Sequence, residues 1–371
     1  MKILIVEPYL AGSHAAWARE YVEHSRHEVS VLGLPGRYWK WRMHGGAITL
    51  ARLLAESDHR PDLVVATDML DLTTFLAFTR ERLGDARTVL YFHENQITYP
   101  WSESDPDPTV QRDLHYGFIN YASALAADAV AFNSEYHRTS FLSGLDPFLR
   151  RFPDHNETDT VRAIEAKAHV LPLGIDLSRF DGCRVDRPDN QRPLILWNHR
   201  WEYDKKPNDF FRALFRLKKE GMVFDVAVLG EKFEYVPVAF EEAVSKLDDR
   251  LVQFGFVDDF ATYASWLWKA DIIPVTSIHD FFGASVVQAI YCNTYPLLPG
   301  RLAYPEHIPV EHRDEHIYRD FTDLVFRLRQ RIENIEETRK IVTQPFVRHY
   351  DWQTTAREYD GFFEEFQGHH T

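Results

Sequence analysis

Cysteine is scarce in this chain, whose 371 residues include only two, Cys183 and Cys292. Two cysteines so far apart in sequence make neither a disulfide framework nor a CxxC metal-binding motif. No other cluster of metal-ligating residues stands out, so we expect no metal and no other cofactor. The scarcity of cysteine also favours a reducing, cytoplasmic setting.

Long apolar runs are missing too. No stretch reaches the roughly 18 apolar residues that indicate a membrane span, and the nearest candidate, residues 118–132, is interrupted by Asn120 and Asp128. The first ten residues, MKILIVEPYL, contain Glu7 and lack a small-residue cleavage site. They are typical of a buried strand rather than a signal peptide, and we expect no association with a membrane.

Positively charged residues are fewer than negatively charged ones. The chain has 42 Lys and Arg and 56 Asp and Glu, which gives a net charge of −14. Proteins that coat nucleic acid depend on clustered Lys and Arg, whose phosphate contacts release counterions. The overall charge therefore excludes that class, and any contact with nucleic acid has to be local.

Short apolar runs alternate with amphipathic segments, which predicts βαβ units and an α/β fold with parallel sheets. The predicted strands are residues 3–6, 29–34, 63–66, 89–92, 129–132 and 169–173, then 194–197, 225–229, 251–256, 272–275 and 296–298. Helical periodicity covers residues 47–55, 72–82, 110–126, 208–219, 236–247, 260–269, 284–291 and 320–335.

A stretch rich in Asp, Arg, Pro and Gly at residues 176–192 predicts a linker between two domains. We place the N-terminal domain at residues 1–180, the C-terminal domain at 190–345 and a final segment at 346–371. Because ligands of open parallel sheets bind beyond the carboxyl ends of the strands, the cleft between the domains is the expected site.

Two loops of the first domain carry candidate residues. Gly12, Ser13 and His14 follow the first strand, where glycine permits close backbone approach and the amides of a helix start favour an anion. An ordinary βα turn explains these three residues equally well. The segment HENQ at residues 93–96 directly follows the strand TVLYF, and Tyr99 lies close behind it. Four polar residues at a strand end favour a functional loop over a merely solvated one.

In the second domain, the first strand leads into WNHRWEYDKKP, where Arg200 comes shortly before Lys205 and Lys206. These cations can point at one diphosphate from the strand end, although two lysines before a helix that starts with proline are commonly solvent-facing. The segment HDFFGASVVQAIYCNTYPLLP, residues 279–299, turns at Gly283 and enters a helix. Amides at that turn can hold phosphate oxygens.

This last segment resembles the S-x-x-E-G-F-G and E-A-M motif of retaining GT-B glycosyltransferases, which use nucleotide sugars. The motif positions are occupied by Ser277, Asp280, Phe282, Gly283, Gln288 and Ala289. Asp replaces the first glutamate and Gln the second, and an amide still donates and accepts hydrogen bonds to a ribose. The resemblance implies a GT-B fold, in which two doubly wound Rossmann-like domains face a central cleft. It also implies a C-terminal helix that crosses back towards the N-terminal domain.

Five blocks narrow the resemblance: EPYLAGSHAAW, YFHENQITYP, FNSEYHRTSF, NHRWEYDKKP, and HDFFG with AIYCNTYPL. In this order, from residue 3 to residue 298, they are similar to the tRNA-queuosine alpha-mannosyltransferase family. The resemblance implies transfer of mannose from GDP-mannose to the cyclopentenediol of queuosine, at the wobble position in the anticodon loop of tRNA(Asp).

The resemblance further implies retaining transfer without a protein nucleophile. Arg200 and Lys205 would stabilise the departing diphosphate, His93 would orient the sugar, Asp280 would hold its hydroxyls and Gln288 would hold the ribose. Other expected donor-binding residues are Gly12, Ser13, Lys206, Phe281, Phe282, Gly283 and Ala284. The expected acceptor-binding residues are His14, Arg37, Trp39, Lys40, Trp41, Arg42, Asn95, Gln96 and Tyr99.

The segment RYWKWR at residues 37–42 supplies what the acidic total lacks, namely cations for phosphates and ring faces for unstacked loop bases. The alternative, that Trp39 and Trp41 are half-buried packing residues, is about equally compatible with the sequence.

Two other functions stay open. The same fold and donor chemistry can serve a lipid or polysaccharide acceptor, although no basic amphipathic helix near the N-terminus supports a membrane-surface acceptor. A noncatalytic module that binds RNA or a sugar nucleotide is the other, since Asp280 and Gln288 replace two acids of the motif.

Overall fold

A computed structural model describes residues 1–102, 105–186, 192–231 and 236–367. The chain divides into two compact units. Unit 1 is Met1–Ile175 together with the C-terminal segment that begins at Trp352, and unit 2 is Asp176–Asp351. Unit 1 therefore ends before the predicted boundary at residue 180, and its last helix comes from the far end of the chain.

Unit 1 is built on a six-stranded parallel sheet with the order β2-β1-β3-β4-β5-β6. Its central strands are buried along almost their whole length, as is usual for a parallel sheet covered on both faces. The strands are β1 (Lys2–Leu10), β2 (Glu28–Pro35), β3 (Leu63–Thr67), β4 (Arg87–Phe92), β5 (Ala129–Phe132) and β6 (Ala168–Val170).

Polar side chains cap the starts of two helices of unit 1. Asp71 and Ser134 accept hydrogen bonds from N–H groups of the first turns of α3 and α5, which stabilises both helix starts. The helices that precede the C-terminal segment are α1 (Gly12–His24), α2 (Trp39–Glu56), α3 (Leu72–Leu83), α4 (Asp113–Ala126), α5 (Glu135–Leu149) and α6 (Val161–Glu165).

Helix α2 starts well before the predicted start at residue 47. Two glycines, at positions 45 and 46, interrupt the apolar pattern there, but the helix runs through them. Gly46 lies against Pro8, where an added Cβ would come within 3.1 Å of the proline side chain. The glycine thus permits the helix to approach the end of β1 closely, and it does not end the helix.

Unit 2 repeats the architecture with the strand order β12-β11-β10-β7-β8-β9. Its strands are β7 (Leu194–Trp197), β8 (Asp225–Val228), β9 (Leu251–Phe254), β10 (Ile272–Pro274), β11 (Tyr295–Pro299) and β12 (Ile317–Tyr318). Its helices are α7 (Pro207–Lys219), α8 (Val238–Leu247), α9 (Phe260–Lys269), α10 (Ala284–Tyr291), α11 (Arg313–His316), α12 (Phe321–Glu333), α13 (Ile335–Lys340) and α14 (Gln344–Val347).

The predicted linker at residues 176–192 is only partly a linker. Its first part belongs to unit 2, where Ser178–Cys183 forms a 3-10 helix and Phe180 is buried. The indole N–H of Trp268 donates to the Phe180 carbonyl at 2.8 Å, which ties this segment to α9. Residues 187–191 of the predicted linker lie outside the described residues.

The last helix, α15 (Trp352–Gln367), packs on α1 of unit 1. Trp17 Nε1 donates to the Tyr359 hydroxyl at 3.1 Å, and that hydroxyl donates to Tyr91 at 2.9 Å. The Tyr21 hydroxyl donates to Asp360 at 2.8 Å. This buried hydrogen-bonded contact makes α15 an integral part of unit 1.

Across the helices that are described, none is both long enough and apolar enough to cross a bilayer.

Candidate active site

The turn before α10 is the centre of the site in unit 2. Gly283 takes a left-handed conformation with φ 88°, and an added Cβ would lie 3.0 Å from the Tyr304 ring. Both the conformation and the close approach favour glycine. Val286 and Val287 donate the first hydrogen bonds of α10 to the Gly283 carbonyl, so the N–H groups of Ala284 and Ser285 precede them, and no side chain caps the helix start. Such a helix start is suited to phosphate oxygens.

Lys205 and Asp280 meet beside this turn. Lys205 Nζ lies 3.1 Å from Asp280 Oδ2 and also 3.1 Å from a carboxylate oxygen of Asp204, and it donates to the His279 carbonyl at 3.0 Å. The Tyr304 hydroxyl donates to Asp280 at 3.1 Å. The structure thus brings together two of the predicted catalytic residues, from separate loops, as a nearly buried ion pair.

The two groups stabilise each other's charge. Burial raises the pKa of Asp280, but the Lys205 ammonium outweighs burial and lowers that pKa to about 2. Burial lowers the pKa of Lys205, but the carboxylates of Asp280 and Asp204 outweigh it, and the pKa stays above its ordinary value. Both groups are therefore charged at neutral pH, as the predicted contacts to a diphosphate and to sugar hydroxyls require.

The other two predicted cations of unit 2 are more exposed. The side chain of Arg200 is half-exposed, with Nη2 3.1 Å from a Glu202 carboxylate oxygen. Lys206 has a left-handed backbone, with φ 52°, and pairs with Asp209 in the first turn of α7 at 2.8 Å. The Arg200–Glu202 pair is therefore weaker than the buried Lys205–Asp280 pair, because exposed ion pairs are screened by solvent.

Gln288 lies on α10, four residues after the start of the helix, within a network of neutral polar groups. Its Oε1 accepts a 2.8 Å hydrogen bond from the Tyr263 hydroxyl, which itself accepts one from Asn198 Nδ2 at 3.4 Å. Asn198 Nδ2 also donates to the Ser285 carbonyl at 2.7 Å, and a ring nitrogen of His199 lies 3.2 Å from Ser285 Oγ. Asn198 Oδ1 and His199 Nε2 are buried without a partner among the described residues. The network leaves polar atoms beside the start of α10 for a ligand.

Phe281 and Phe282, predicted at the donor, have buried side chains. The ring of Phe281 packs on His279, and the ring of Phe282 packs on His307 and Tyr350. If either phenylalanine contacts the nucleotide-sugar donor, the contact is therefore made by its backbone.

In unit 1, three neighbouring strands end in buried titratable residues. Glu7 lies near the end of β1, Asp68 follows β3 and His93 follows β4. Helix α1 adds His14, whose Nδ1 lies 2.9 Å from Glu7 Oε2. The rings of His14 and His93 have their centroids 4.2 Å apart. The strand order therefore gathers His93 and His14, predicted from separate motifs, into one cluster.

The two histidines differ in charge. Burial lowers the pKa of His14, but the Glu7 carboxylate outweighs it and raises that pKa to about 9. Burial, supported by the charge of His14, lowers the pKa of His93 well below its ordinary value. His14 is therefore an imidazolium held by Glu7, and His93 is a neutral ring. Ligand atoms of Glu7, His14 and His93 lie within 4.8 Å of one another, a spacing that suits a metal ion. A metal ion bound there would have to displace the proton of His14.

The HENQ loop is held by a network of amides. Asn95 Oδ1 accepts from the N–H groups of Ile97 and Thr98, at 3.1 and 2.9 Å. The Gln96 N–H donates to Asn120 Oδ1, and its side chain donates to Glu94. Asn95 and Gln96 therefore shape the loop that presents His93, while Tyr99 is half-buried further along. Gly12 and Ser13 are exposed at the first positions of α1, Gly12 with φ 52°.

The RYWKWR segment leads into α2, which begins at Trp39, and its side chains divide into two sets. Trp39 is half-buried against Tyr116 and Trp101, and Lys40 Nζ binds Asp105 and Asp107 at 2.8 and 2.6 Å. Arg42 donates to the Pro35 carbonyl at 3.3 Å. By contrast, Arg37 is exposed, Trp41 is 63% exposed and Tyr38, with a left-handed φ of 54°, is 78% exposed.

Sequence reasoning missed several polar residues of both clusters. They are Glu7, Asp68, Asn198, His199, Asp204, Tyr263 and Tyr304. Glu7, Asn198, His199 and Asp204 lie inside motifs quoted above. Their polarity at the end of an apolar strand is the signal that could have identified them. Tyr263 and Tyr304 come from α9 and from a 3-10 helix, and no local pattern connects them with the site.

The chain is similar in sequence to proteins of one known family. Residues 2–175 match the family model described as tRNA-queuosine alpha-mannosyltransferase N-terminal. A tRNA-queuosine alpha-mannosyltransferase of Drosophila melanogaster is 35% identical over 318 residues, which are 84% of this chain and 82% of that protein.

Among solved structures, sucrose-phosphate synthase of Thermosynechococcus elongatus has a TM-score of 0.72 at 13% identity, with 99% of each chain covered. The catalytic domain of starch synthase IV of Arabidopsis thaliana has a TM-score of 0.73 at 11% identity, again with 99% of each chain covered. At such identities the likeness concerns the fold, and it confirms the predicted GT-B fold with two doubly wound α/β units.

Proposed function

The chain belongs to the tRNA-queuosine alpha-mannosyltransferase family, and from this premise we propose that it transfers mannose from GDP-mannose to queuosine in tRNA. The acceptor is the cyclopentenediol of queuosine at the wobble position of tRNA(Asp), and the anomeric configuration is retained. The observation that carries the proposal is the 35% identity to the fly enzyme over 84% of this chain.

Unit 2 is proposed to bind the donor. The start of α10, Arg200 and Lys205 together offer amides and cations to the diphosphate of GDP-mannose. Asp280, held at Lys205 and Tyr304, accepts hydrogen bonds from mannose hydroxyls. Gln288 binds the ribose through the amide atoms that its bond to Tyr263 leaves available.

The reaction follows from charge stabilisation of the leaving group. The bond between the anomeric carbon and the β-phosphate oxygen breaks, and the acceptor hydroxyl forms the new bond on the same face. Its proton passes to the departing phosphate oxygen, so no protein nucleophile is needed. Arg200 and Lys205 stabilise the negative charge that develops on GDP, and the neutral His93 orients the mannose.

Unit 1 is proposed to bind the tRNA. Exposed Tyr38 and Trp41 with Arg37 offer ring faces and a cation to unpaired bases and phosphates. Such a local surface reconciles an RNA substrate with a net charge of −14. We place the reaction in the cytoplasm, where tRNA is modified, with no membrane partner and no metal.

The test is mass spectrometry of nucleosides from tRNA of a strain that lacks the gene. We expect mannosylated queuosine to disappear and unmodified queuosine to accumulate, and both to return when the gene is restored. A donor-site variant, Asp280→Ala, should fail to restore the modification. Unchanged mannosyl-queuosine in the deletion strain, with radiolabelled mannose missing from lipid extracts instead, would favour a lipid acceptor.

A further inference from the structure

Two buried polar atoms beside the start of α10 have no hydrogen-bond partner in the part of the chain that the structure describes. They are Oδ1 of Asn198, a residue that is 6% exposed, and Nε2 of His199, a residue that is 2% exposed. Both residues directly follow the carboxyl end of β7. Buried polar atoms of this kind point to a ligand that satisfies them.

Ser285, in the first turn of α10, contacts both side chains. Its carbonyl accepts a hydrogen bond from Asn198 Nδ2 at 2.7 Å, and its hydroxyl lies 3.2 Å from Nδ1 of His199. Ala284 and Ser285 are themselves partly exposed at the helix start. A ligand that binds to the N–H groups of these two residues therefore lies next to the His199 ring.

The His199 ring has a fixed position. The indole N–H of Trp197 donates to the His199 carbonyl at 2.9 Å, and the Trp197 ring packs edge-on against the imidazole, with centroids 5.1 Å apart. Gly230 has φ 106°, and an added Cβ there would clash with the His199 carbonyl oxygen, so only glycine permits this close approach. An imidazole held in this way is already oriented before a ligand binds, which lowers the entropic cost of binding.

The His199 ring is neutral at neutral pH. Burial lowers its pKa to about 4, and the Lys205 ammonium acts in the same direction, while Asp280 and Asp204 oppose it. One of the two ring nitrogens then carries the proton. When the Ser285 hydroxyl donates to Nδ1, that proton lies on Nε2. This tautomer has a buried N–H group, which is costly to leave without an acceptor.

We propose that the Nε2–H group of His199 donates a hydrogen bond to the β-phosphate of the nucleotide-sugar donor. The inference rests on the proposed function, which places a diphosphate at the start of α10. The neighbouring groups favour an anion, because the helix start offers N–H groups and Lys205 offers a cation. A phosphate oxygen accepts hydrogen bonds and donates none, which fits the buried N–H group of His199.

The position of the ring favours the β-phosphate, which is the phosphate next to the sugar. Lys205 and Asp280 lie close enough for their charges to act on the His199 ring, and Asp280 is proposed to hold the mannose. Gln288, which is proposed to hold the ribose, lies further along α10. A donor that runs from Asp280 to Gln288 passes the helix start with its diphosphate, and its β-phosphate is the phosphate nearer to Asp280.

Titration calorimetry with GDP, GDP-mannose and GMP tests the contact. His199→Phe keeps an aromatic ring and removes both nitrogens. Its affinity for GDP and for GDP-mannose should fall by about 10- to 100-fold, as expected for the loss of one hydrogen bond to a charged group. Its affinity for GMP, which has no β-phosphate, should match that of the wild type. An unchanged affinity for GDP, or an equal loss for GDP and GMP, would overturn the inference.

Two conservative variants separate this contact from a structural role through Ser285. The side-chain amide nitrogen of glutamine reaches about as far as Nε2 of histidine, whereas that of asparagine reaches about as far as Nδ1. His199→Gln keeps a donor for the ligand, so it should bind GDP more tightly than His199→Asn. The reverse order would show that His199 acts through its contact with Ser285, and it would overturn the inference.

The matched control is His316→Gln. His316 is another buried histidine of unit 2, but it stacks on Tyr295 at the start of β11, at the edge of the sheet opposite to the carboxyl ends of the strands. This variant should bind GDP and GMP like the wild type. A loss of GDP affinity equal to that of His199→Phe would contradict a specific contact.

Failure of the proposed function gives a different result. A wild-type protein that binds UDP but not GDP would refute GDP-mannose as the donor, and UDP with UMP would then test His199 in the same way. A wild-type protein that binds neither diphosphate would refute both the proposed donor site and the role of His199.

Discussion

Trp39 and Trp41 are two residues apart in a motif that looks uniform, yet they face different surroundings. Trp39 packs with Tyr116 and Trp101 at ring distances of 5.3 and 6.0 Å, while Trp41 is 63% exposed. Lys40 is held by two aspartates and is not available as a free cation. At the scale of the residue, therefore, helix geometry separates packing residues from candidate RNA contacts.

This difference predicts opposite outcomes for two alanine variants. Trp41→Ala should weaken tRNA binding by about 1–3 kcal/mol with an unchanged melting temperature, because a stacking ring is lost. Trp39→Ala should cost about 2 kcal/mol of folding free energy, because a half-buried ring leaves a cavity. Filter binding and thermal melts on both variants check this, and loss of tRNA affinity by neither would place the RNA contact elsewhere.

Arg200 and Lys206 are the predicted donor-site cations whose side chains are about half exposed. Arg200→Ala should lower turnover by about 10²–10³-fold, because one donor to the departing diphosphate is removed. Steady-state kinetics measure the effect, and Arg216→Ala, which removes an exposed arginine paired with Glu220 on α7, is the control. Similar kinetics for the two variants would refute the role of Arg200.

The side-chain oxygen of Gln288 already accepts a hydrogen bond from the Tyr263 hydroxyl. Gln288→Glu keeps that acceptor and adds a charge that binds ribose hydroxyls more strongly, so GDP-mannose affinity should stay equal or rise modestly. Calorimetric titration of a folded variant checks this. A large loss of affinity would show that the ribose requires the amide N–H of glutamine.

At the scale of elements, β1 and α1 are joined by the Glu7–His14 ion pair. The pKa of His14 rises from 6.5 to about 9 on folding. Protonated His14 therefore contributes fully to the free energy of unfolding below about pH 6.5, and this contribution is lost as pH rises through about 9. Deprotonation of Asp68, whose pKa is also raised by burial, acts in the same direction. Between about pH 6.5 and about pH 9 the contribution of His14 to the free energy of unfolding falls by about 3 kcal/mol, since each pKa unit corresponds to about 1.36 kcal/mol.

The measurement is the free energy of unfolding, by denaturant, from about pH 6.5 to about pH 9. Glu7→Gln should be less stable than the wild type at the acidic end and should lose less on going to the alkaline end. Glu135→Gln, which breaks an exposed pair with Arg138, should keep the wild-type dependence. Parallel pH curves for the wild type and Glu7→Gln would show that the ion pair contributes nothing.

Elements with strong apolar patterns were predictable from the sequence, and irregular ones were not. The buried central strands and α7 carry clear periodicity, so their positions agree with prediction. Helix α2 was predicted too short because its glycines serve close packing, and α5 was missed because polar residues and Pro147 obscure its pattern. For the site, residues at strand ends were visible, but Tyr263 and Tyr304 depend on tertiary contacts.

At the scale of the whole molecule, each unit is proposed to carry its own part of the chemistry. Unit 2 holds the Lys205–Asp280 pair beside the start of α10, and unit 1 holds His93 beside the Glu7–His14 pair. Unit 1 is completed by α15, whose Tyr359 contacts Trp17 and Tyr91, and the rings of these two residues pack around His93. The C-terminal helix therefore supports the histidine that is proposed to orient the sugar.

The central claim is that this chain joins mannose to queuosine in tRNA. Its most direct test is incubation of the purified protein with radiolabelled GDP-mannose and tRNA(Asp) that carries either queuosine or guanosine at the wobble position. We predict label in the queuosine tRNA alone, recovered as a mannosyl nucleoside by mass spectrometry, and none when labelled UDP-glucose replaces GDP-mannose. Absence of label from queuosine tRNA, or equal label in both tRNAs, would contradict the account.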